Sequence, residues 1–177
     1  MIGKAKINTS WELAPTLAQE LNLGATPEHL LTKNFIQEIT DGASAAGTCD
    51  MIFAKKQTVL SGATNNLDLN GTLKDVFGDN FNVITLCGVF ILNVPVNPLD
   101  ALNTTNLTIG GGTNPFGSLL GNNTATKILR PGHMFQDWSF GVGGIGTVVA
   151  GTGDMINITN GAGATNIFQV ILIGRST

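Results

Sequence analysis

Two histidines and two cysteines are the side chains with the clearest capacity for metal or nucleophilic chemistry in this chain. His29 and His133 lie far apart and form no short His-x-x-x-His pair, and neither Cys49 nor Cys87 has a partner at zinc-site spacing. Cys87 lies in an apolar stretch, which predicts a buried free thiol, while a disulfide between the two cysteines stays open. The pattern therefore predicts no metal site and no cofactor.

The carboxylates also fail to form a catalytic pattern. They are scattered singly through polar and glycine-rich segments, where an aspartate more often caps a turn than transfers a proton; they include Asp68, Asp75, Asp79, Asp137 and Asp154. No serine lies in a nucleophile-elbow context. The chain is therefore predicted not to be an enzyme; the alternative, a hydrolase, would require His29 or His133 to meet carboxylates in a pocket.

Glycine-rich segments offer a second kind of motif. The sequence GVGGIG at residues 141–146 contains a loose G-x-G-x-x-G, but a dinucleotide fingerprint lies between a strand and a helix, whereas strand-like sequence flanks this one. The triple glycine at residues 110–112 lacks the Gly-Lys-Ser/Thr of a phosphate loop. We expect Gly141, Gly143 and Gly144 to form an exposed loop tip, with the glycines allowing positive φ or close backbone approach.

The element that must organise the chain is VITLCGVFIL, residues 83–92. A β-branched apolar run bounded by asparagines predicts an inner strand covered on both faces, and it is too short to cross a membrane as a helix. Just upstream, residues 71–77 are predicted to form a short amphipathic helical turn. The rest of the chain alternates short strand-like segments with Gly/Asn/Thr turns, the pattern of one antiparallel sandwich or barrel.

Charge is scarce. Only 12% of the residues are charged and the net charge is −3, so no basic footprint for nucleic acid is present. A charge-poor surface is also typical of protein covered by other subunits, because interface cores are depleted in charge. The first residues, MIGKAKINTSWEL, contain no apolar signal-peptide core, so no secretion signal and no membrane partner are predicted.

Several short motifs, taken in order, resemble a widespread group of small virion structural proteins of tailed bacteriophages. The motifs are LDLNGTLKDVFG (67–78), the long apolar strand ending at Asn93, IGGG (109–112), RPG (130–132), GTGDMINITN (151–160) and a final strand ending in IG (173–174), preceded by DG (41–42) and CD (49–50). The resemblance covers residues 36–177.

The resemblance implies a jelly-roll-like antiparallel β-sandwich over residues 36–177, with residues 1–35 as an N-terminal arm or added strands. It implies a non-enzymatic capsid decoration, head-fibre or tail-associated subunit, made in the host cytoplasm and assembled on the virion. Expected partners are copies of itself, with a trimer preferred, and the major capsid protein or other virion proteins. Trp11 and Leu13 are the candidate capsid or subunit contacts. The alternative is a receptor- or carbohydrate-binding tip domain of a tail or fibre.

Overall fold

The computed structural model of this protein describes residues 5–13, 31–75, 78–94 and 102–177, with side chains from residue 39 onward. Within these residues the chain forms antiparallel strands and one 3-10 turn, Gly117–Leu119, so the predicted all-β fold is confirmed. The strands are β1 (Ala5–Leu13), β2 (Leu31–Ile39), β3 (Met51–Val59), β4 (Thr64–Asp68), β5 (Asn70–Lys74), β6 (Asn80–Asn82), β7 (Thr85–Leu92), β8 (Leu107–Gly110), β9 (Thr126–Leu129), β10 (Met134–Trp138), β11 (Gly146–Thr147), β12 (Met155–Asn160) and β13 (Asn166–Arg175). Over the same ranges no helix has the length and apolar character that crossing a bilayer requires.

Two sheets form the body of the fold. The larger has the order β10-β7-β13-β3, with β11 also paired to β7, and the second has the order β4-β12-β8-β9. Every neighbouring pair in both sheets is antiparallel. Two smaller sheets, β1-β2 and β5-β6, complete the described strands.

The two larger sheets pack face to face as a β-sandwich around one apolar core. Alternate residues of each strand point inward, as the two-residue period of a strand requires. On β12 these are Ile156 and Ile158, and on β8 they are Leu107 and Ile109. The larger sheet contributes Phe53, Leu86, Val89, Ile91, Phe168, Val170 and Leu172 to the same cluster. Burial of each such side chain stabilises the fold by about 1.5–3 kcal/mol.

The strand predicted to organise the chain is an inner strand. β7 pairs with β10 and β11 on one side and with β13 on the other. Its residues from Thr85 to Val89 are all buried, whereas Phe90 and Leu92 are half-buried. The predicted inner strand is therefore confirmed over residues 85–92, whereas residues 83 and 84 precede it and Ile84 is 44% exposed.

The predicted helical turn at residues 71–77 is wrong over the part that the structure describes. Residues 70–74 form β5, which pairs with β6 and is followed by a turn closed by the peptide hydrogen bond from Asp75 to Asp79. Leu69 and Leu73 have helical spacing, but Leu67 and Leu69 are both fully buried at strand spacing. Pairing and burial in the core outweighed a weak local preference. Residues 76 and 77 lie outside the described residues.

The N-terminal part of the chain forms the β1-β2 pair, with Trp11 opposite Lys33 and Leu13 opposite Leu31. β2 crosses the predicted boundary between residues 35 and 36, and its last residue, Ile39, is buried against the larger sheet. The division into an arm and a sandwich domain remains a prediction, as does the jelly-roll connectivity. The segment between β1 and β2, residues 14–30, lies outside the described residues and includes His29.

Buried asparagines join the two sheets at one end of the sandwich. The Asn93 amide donates to the carbonyls of Thr105 and Leu129, and its oxygen accepts from the amides of Asn103 and Asn166. Asn93 and Asn166 are fully buried, so these bonds replace water that the groups lost on folding. The network ties the end of β7 to β9, to the approach to β8 and to the start of β13.

We expect Asn93→Ala to lower the free energy of unfolding by about 3 kcal/mol, because it removes the two hydrogen bonds that the Asn93 amide donates and the two that its oxygen accepts, all in a buried place. Urea unfolding measures the change. Asn82→Ala, at an exposed position on β6, is the matched control and should change stability by less than about 0.5 kcal/mol. Equal losses in the two variants would contradict the role given to Asn93.

Candidate functional site

A β-bulge sets the position of Cys87. On β13, Ile173 and Gly174 are consecutive, but they pair with Gly88 and Leu86 of β7, so Cys87 is the extra residue. A bulge of this kind reverses the alternation of side chains along the strand. Leu86 and Val89 consequently both enter the main core, whereas Cys87 points to the opposite face of the sheet.

On that outer face Cys87 meets Cys49. The two cysteines share a small apolar cluster with Ile39 and Ile173, flanked by Phe90 and Phe140. Both thiols are free, and their exposed fractions are 2% for Cys49 and 0% for Cys87. The Cys87 thiol donates to the Thr85 carbonyl, with 3.8 Å between sulfur and oxygen. The buried free thiol predicted for Cys87 is confirmed, and Cys49 is its neighbour in space.

Cys49 reaches this place because residues 40–49 fold back over the sheet. Thr40 and Thr48 form an isolated bridge, and the Cys49 peptide N–H donates to the Thr40 carbonyl. The Gly47 peptide N–H donates to the carbonyl of Phe140, in the loop that follows β10. Two loops therefore cover the thiol pair, one before β3 and one between β10 and β11.

Arg175 completes the cluster. This residue ends β13, is 1% exposed, and donates hydrogen bonds to the carbonyls of Ala45, Gly141 and Val142. Its Nε atom is buried and has no hydrogen-bond partner among the residues that the structure describes. A buried guanidinium bonded only to neutral carbonyls carries a large desolvation cost, which a nearby negative charge would offset.

The electrostatics of the pair favour one shared thiolate, on Cys87. The hydrogen bond from Cys49 lowers the pKa of Cys87 to about 7 against the desolvation that opposes it, and the Arg175 charge acts in the same direction. The hydrogen bond to Cys87 raises the pKa of Cys49, and burial raises it further. The Asp50 carboxylate, which accepts from the Ser176 peptide and hydroxyl, weakly opposes ionisation of both thiols.

The glycine loop predicted as an exposed tip lies beside this cluster. Gly141 and Gly143 are exposed, whereas Gly144 is half-buried. The Gly144 φ angle is +57°, and a Cβ atom there would lie 2.5 Å from the Leu86 carbonyl oxygen, so only glycine fits this close approach. The loop is flanked by strands, β10 and β11, which agrees with rejection of the dinucleotide fingerprint.

Trp11 and Leu13, the predicted capsid or subunit contacts, lie on β1 near the end that pairs with the start of β2. Their side chains are not among those described, so their role remains a prediction. The structure places Trp138, the second tryptophan, on β10, with its ring 5.4 Å from that of Phe90.

The free edges of the two sheets differ in charge. β3 presents exposed Lys55 and Lys56, and β9 presents exposed Lys127. Lysines on an edge strand discourage pairing with another chain. β10, the opposite edge from β3, has the sequence MFQDW, with a half-buried Asp137 as its one charged residue. Its Met134 side chain is 43% exposed.

The hydrogen-bond pattern shows which peptide groups of β10 face outward. The Asn93 peptide N–H donates to the His133 carbonyl and the Ser139 peptide N–H donates to the Cys87 carbonyl, so the hydrogen-bond ladder to β7 runs through the odd-numbered residues of β10. The peptide groups of Met134 and Gln136 therefore point away from β7, as alternate residues of an antiparallel strand must. Among the described strands, none pairs with this edge.

An open cleft of about 310 Å³ lies near the 3-10 turn, lined by backbone and by small polar side chains that include Ser118, Asn122, Asn123 and Thr152. Its aromatic side chain, Phe116, is buried and offers no exposed ring face for a sugar.

His133 is an exposed turn residue before β10, as predicted. In the parts of the chain that the structure describes, no three His, Cys, Asp or Glu residues are grouped as metal ligands.

The predicted turn-capping role holds for three of the aspartates. Asp68 accepts from the Asn70 peptide, Asp75 from the Asp79 peptide, and Asp154 from the Gly151 peptide. No sequence pattern predicts the cluster of Cys49, Cys87 and Arg175. The Cys-Gly pair inside an apolar strand is a weak bulge signal, but the approach of Cys49 depends on a long-range fold-back.

Comparison with known proteins found no matching family model, no matching curated protein and no matching solved structure.

We expect Gly144→Ala to lower the free energy of unfolding by about 2 kcal/mol, because the new Cβ combines positive-φ strain with a clash against the Leu86 carbonyl. Gly143→Ala is the matched control, because a Cβ there meets no atom within 4 Å. Its stability should change by less than about 0.5 kcal/mol in the same thermal or urea unfolding series. A neutral Gly144→Ala would show that the loop does not sit against β7 as described.

The thiol pair predicts a pH dependence of stability. A pKa that folding lowers from 9.0 to about 7 contributes stability that is present above pH 9.0 and is lost as the pH falls through 7. The raised pKa of Cys49 acts in the opposite sense, because its contribution is present below pH 9.0 and declines above it. The pair's contribution should therefore increase from about pH 7 to about pH 9 and decrease at higher pH.

Urea unfolding across this range, compared with Cys87→Ser, isolates the contribution of the pair from other titrating groups. Ultraviolet absorbance of the thiolate should show one group ionising near pH 7 in the native protein. A native protein whose thiols ionise only above pH 9.0 would contradict the assignment.

Proposed function

We propose that this protein is a non-enzymatic virion structural protein of a tailed bacteriophage, a capsid decoration or other head-associated subunit that assembles as a symmetric oligomer. The observation that carries the self-assembly is the charge-poor edge of β10, which pairs with no other described strand and lies opposite a lysine-bearing edge of the same sheet. The phage assignment is supported by the order of the sequence motifs and by the sandwich fold.

The β10 edge suits association with another copy. Its outward peptide groups can form hydrogen bonds to a strand of a second chain, and Met134 adds apolar surface next to them. The chain as a whole carries few charges, so repulsion between copies is small. A trimer suits the three-fold positions of a capsid lattice, and attachment of many copies to one shell adds avidity without tight single contacts.

The second candidate, a receptor- or carbohydrate-binding tip domain, has less support. The cleft beside the 3-10 turn supplies hydroxyl and amide groups suited to a sugar, which is the observation in its favour. An exposed aromatic platform is missing from the residues that line it. If the protein bound host-surface glycans and Asn123→Ala lost that binding, the result would support this second candidate.

We expect Met134→Lys to convert the oligomer to monomer at micromolar concentration, because a charge on the β10 edge opposes strand pairing. Light scattering coupled to gel filtration measures the mass, and thermal unfolding checks that the fold is intact. Ile128→Lys is the matched control, since Ile128 is 57% exposed on β9, an edge that already carries Lys127.

The control should leave the oligomer unchanged. A wild-type protein that is monomeric at all concentrations would refute self-assembly.

The virion assignment is tested separately: the gene should lie among head genes, beside that of the major capsid protein, and the chain should be detected by mass spectrometry in purified particles. A place among tail genes would favour the tip domain.

A further inference from the structure

The Cys49, Cys87 and Arg175 cluster has features that packing alone does not require. Two cysteines far apart in the chain lie in one buried cluster, and a bulge turns one of them out of the main core and into it. Bulges are used in proteins to re-aim a side chain at a specific position. A buried guanidinium lies at the same cluster, with its Nε unpartnered among the described atoms.

We propose that Cys49 and Cys87 are a modification site, a thiol pair that a small peroxide oxidises to a reversible intramolecular disulfide. The structure favours this chemistry over an inert packing role because the two cysteines share one buried cluster and because Arg175 supplies the positive charge that a reacting thiolate needs. The proposal does not depend on the virion assignment.

The reaction balances with hydrogen peroxide as the oxidant. The Cys87 thiolate attacks one peroxide oxygen, the oxygen–oxygen bond breaks, hydroxide leaves with the electron pair, and Cys87 becomes a sulfenic acid. The Cys49 sulfur then attacks the Cys87 sulfur, loses its proton, and displaces the hydroxyl group as water. Two thiol sulfurs are oxidised by two electrons in total, and the peroxide is reduced by the same two.

The roles of the two cysteines follow from their surroundings. Cys87 is the attacking residue, because the bulge turns it toward the face of the sheet where the Arg175 charge favours its thiolate, and Cys49 is the resolving residue, because its own pKa is raised. Asp50 is the charged group that opposes this ionisation, and it is held away by its bonds to Ser176. Because both cysteines are almost fully buried, an oxidant of nearly the size of water should reach them more readily than a bulky disulfide reagent.

The disulfide would join two places that are held now by non-covalent contacts. Cys49 ends the segment that begins at Thr40, directly after Ile39 of β2, and Cys87 belongs to the inner strand of the larger sheet. Oxidation would therefore fasten the start of the sandwich, where β2 enters it, to β7. The bond closes a loop from residue 49 to residue 87, and loop closure of this length raises stability chiefly by restricting the unfolded chain.

The test treats the native, full-length protein with hydrogen peroxide, quenches with catalase, denatures, alkylates, and measures the intact mass without reductant. We expect the product to be lighter by two hydrogens, to resist alkylation at both cysteines, and to return to two free thiols with dithiothreitol. Its Tm should increase by about 5 °C. Native protein should react slowly with the bulky reagent dithiobis-nitrobenzoate.

Single variants separate the two roles. Cys49→Ser should stop at the Cys87 sulfenic acid, which dimedone traps, whereas Cys87→Ser should give little dimedone adduct at Cys49. Arg175→Lys should slow oxidation several-fold, and circular dichroism confirms whether each variant is folded. If a variant does not fold, the wild-type mass measurement still decides the proposal.

Retention of two alkylatable thiols after peroxide treatment would overturn the proposal. A disulfide between two molecules, or oxidation of both cysteines to sulfinic acids without cross-linking, would overturn it equally. Equal dimedone labelling of the two single variants would reverse or remove the assigned roles.

Discussion

The packing of β7 against β13 is the constraint on which the rest of this structure depends. These two inner strands pair along most of their length, and their inward side chains build the larger sheet's share of the core. β13 keeps its alternation, but β7 could not, because Leu86 and Val89 both belong to the core. The bulge at Cys87 resolves this conflict by adding one residue, which restores the correct face on each side of it.

The bulge has consequences beyond the core. The residue that it displaces points to the outer face of the sheet, where a side chain must be covered or exposed. The segment before β3 and the loop after β10 supply the cover, and Arg175 holds both through its bonds to Ala45 and Gly141. A local correction of strand register thus produces a second small core, and that core contains the chain's two thiols and one buried positive charge.

Polar side chains inside this protein are used mainly to satisfy backbone groups. Asn93, Asn160 and Asn166 are buried and donate to backbone carbonyls where strands end. This arrangement explains how a chain with few charged residues uses its many asparagines. It also leaves the outer surface nearly neutral, which is compatible with close approach of other copies at an edge such as β10.

The sequence by itself determined the all-β class, the inner position of residues 85–92, the free buried state of Cys87 and the turn-capping role of aspartates such as Asp154. Each of these features depends on local composition or on the two-residue period of a strand, and interactions between residues close in sequence are enough to determine it. Only the tertiary structure decided that residues 70–74 are a strand, because pairing with β6 and burial of neighbouring leucines outweigh a weak helical pattern. Only the tertiary structure brought Cys49 and Arg175 to Cys87, since these residues meet through pairing across β13 and a fold-back of residues 40–49, and no local pattern encodes contacts over such separations.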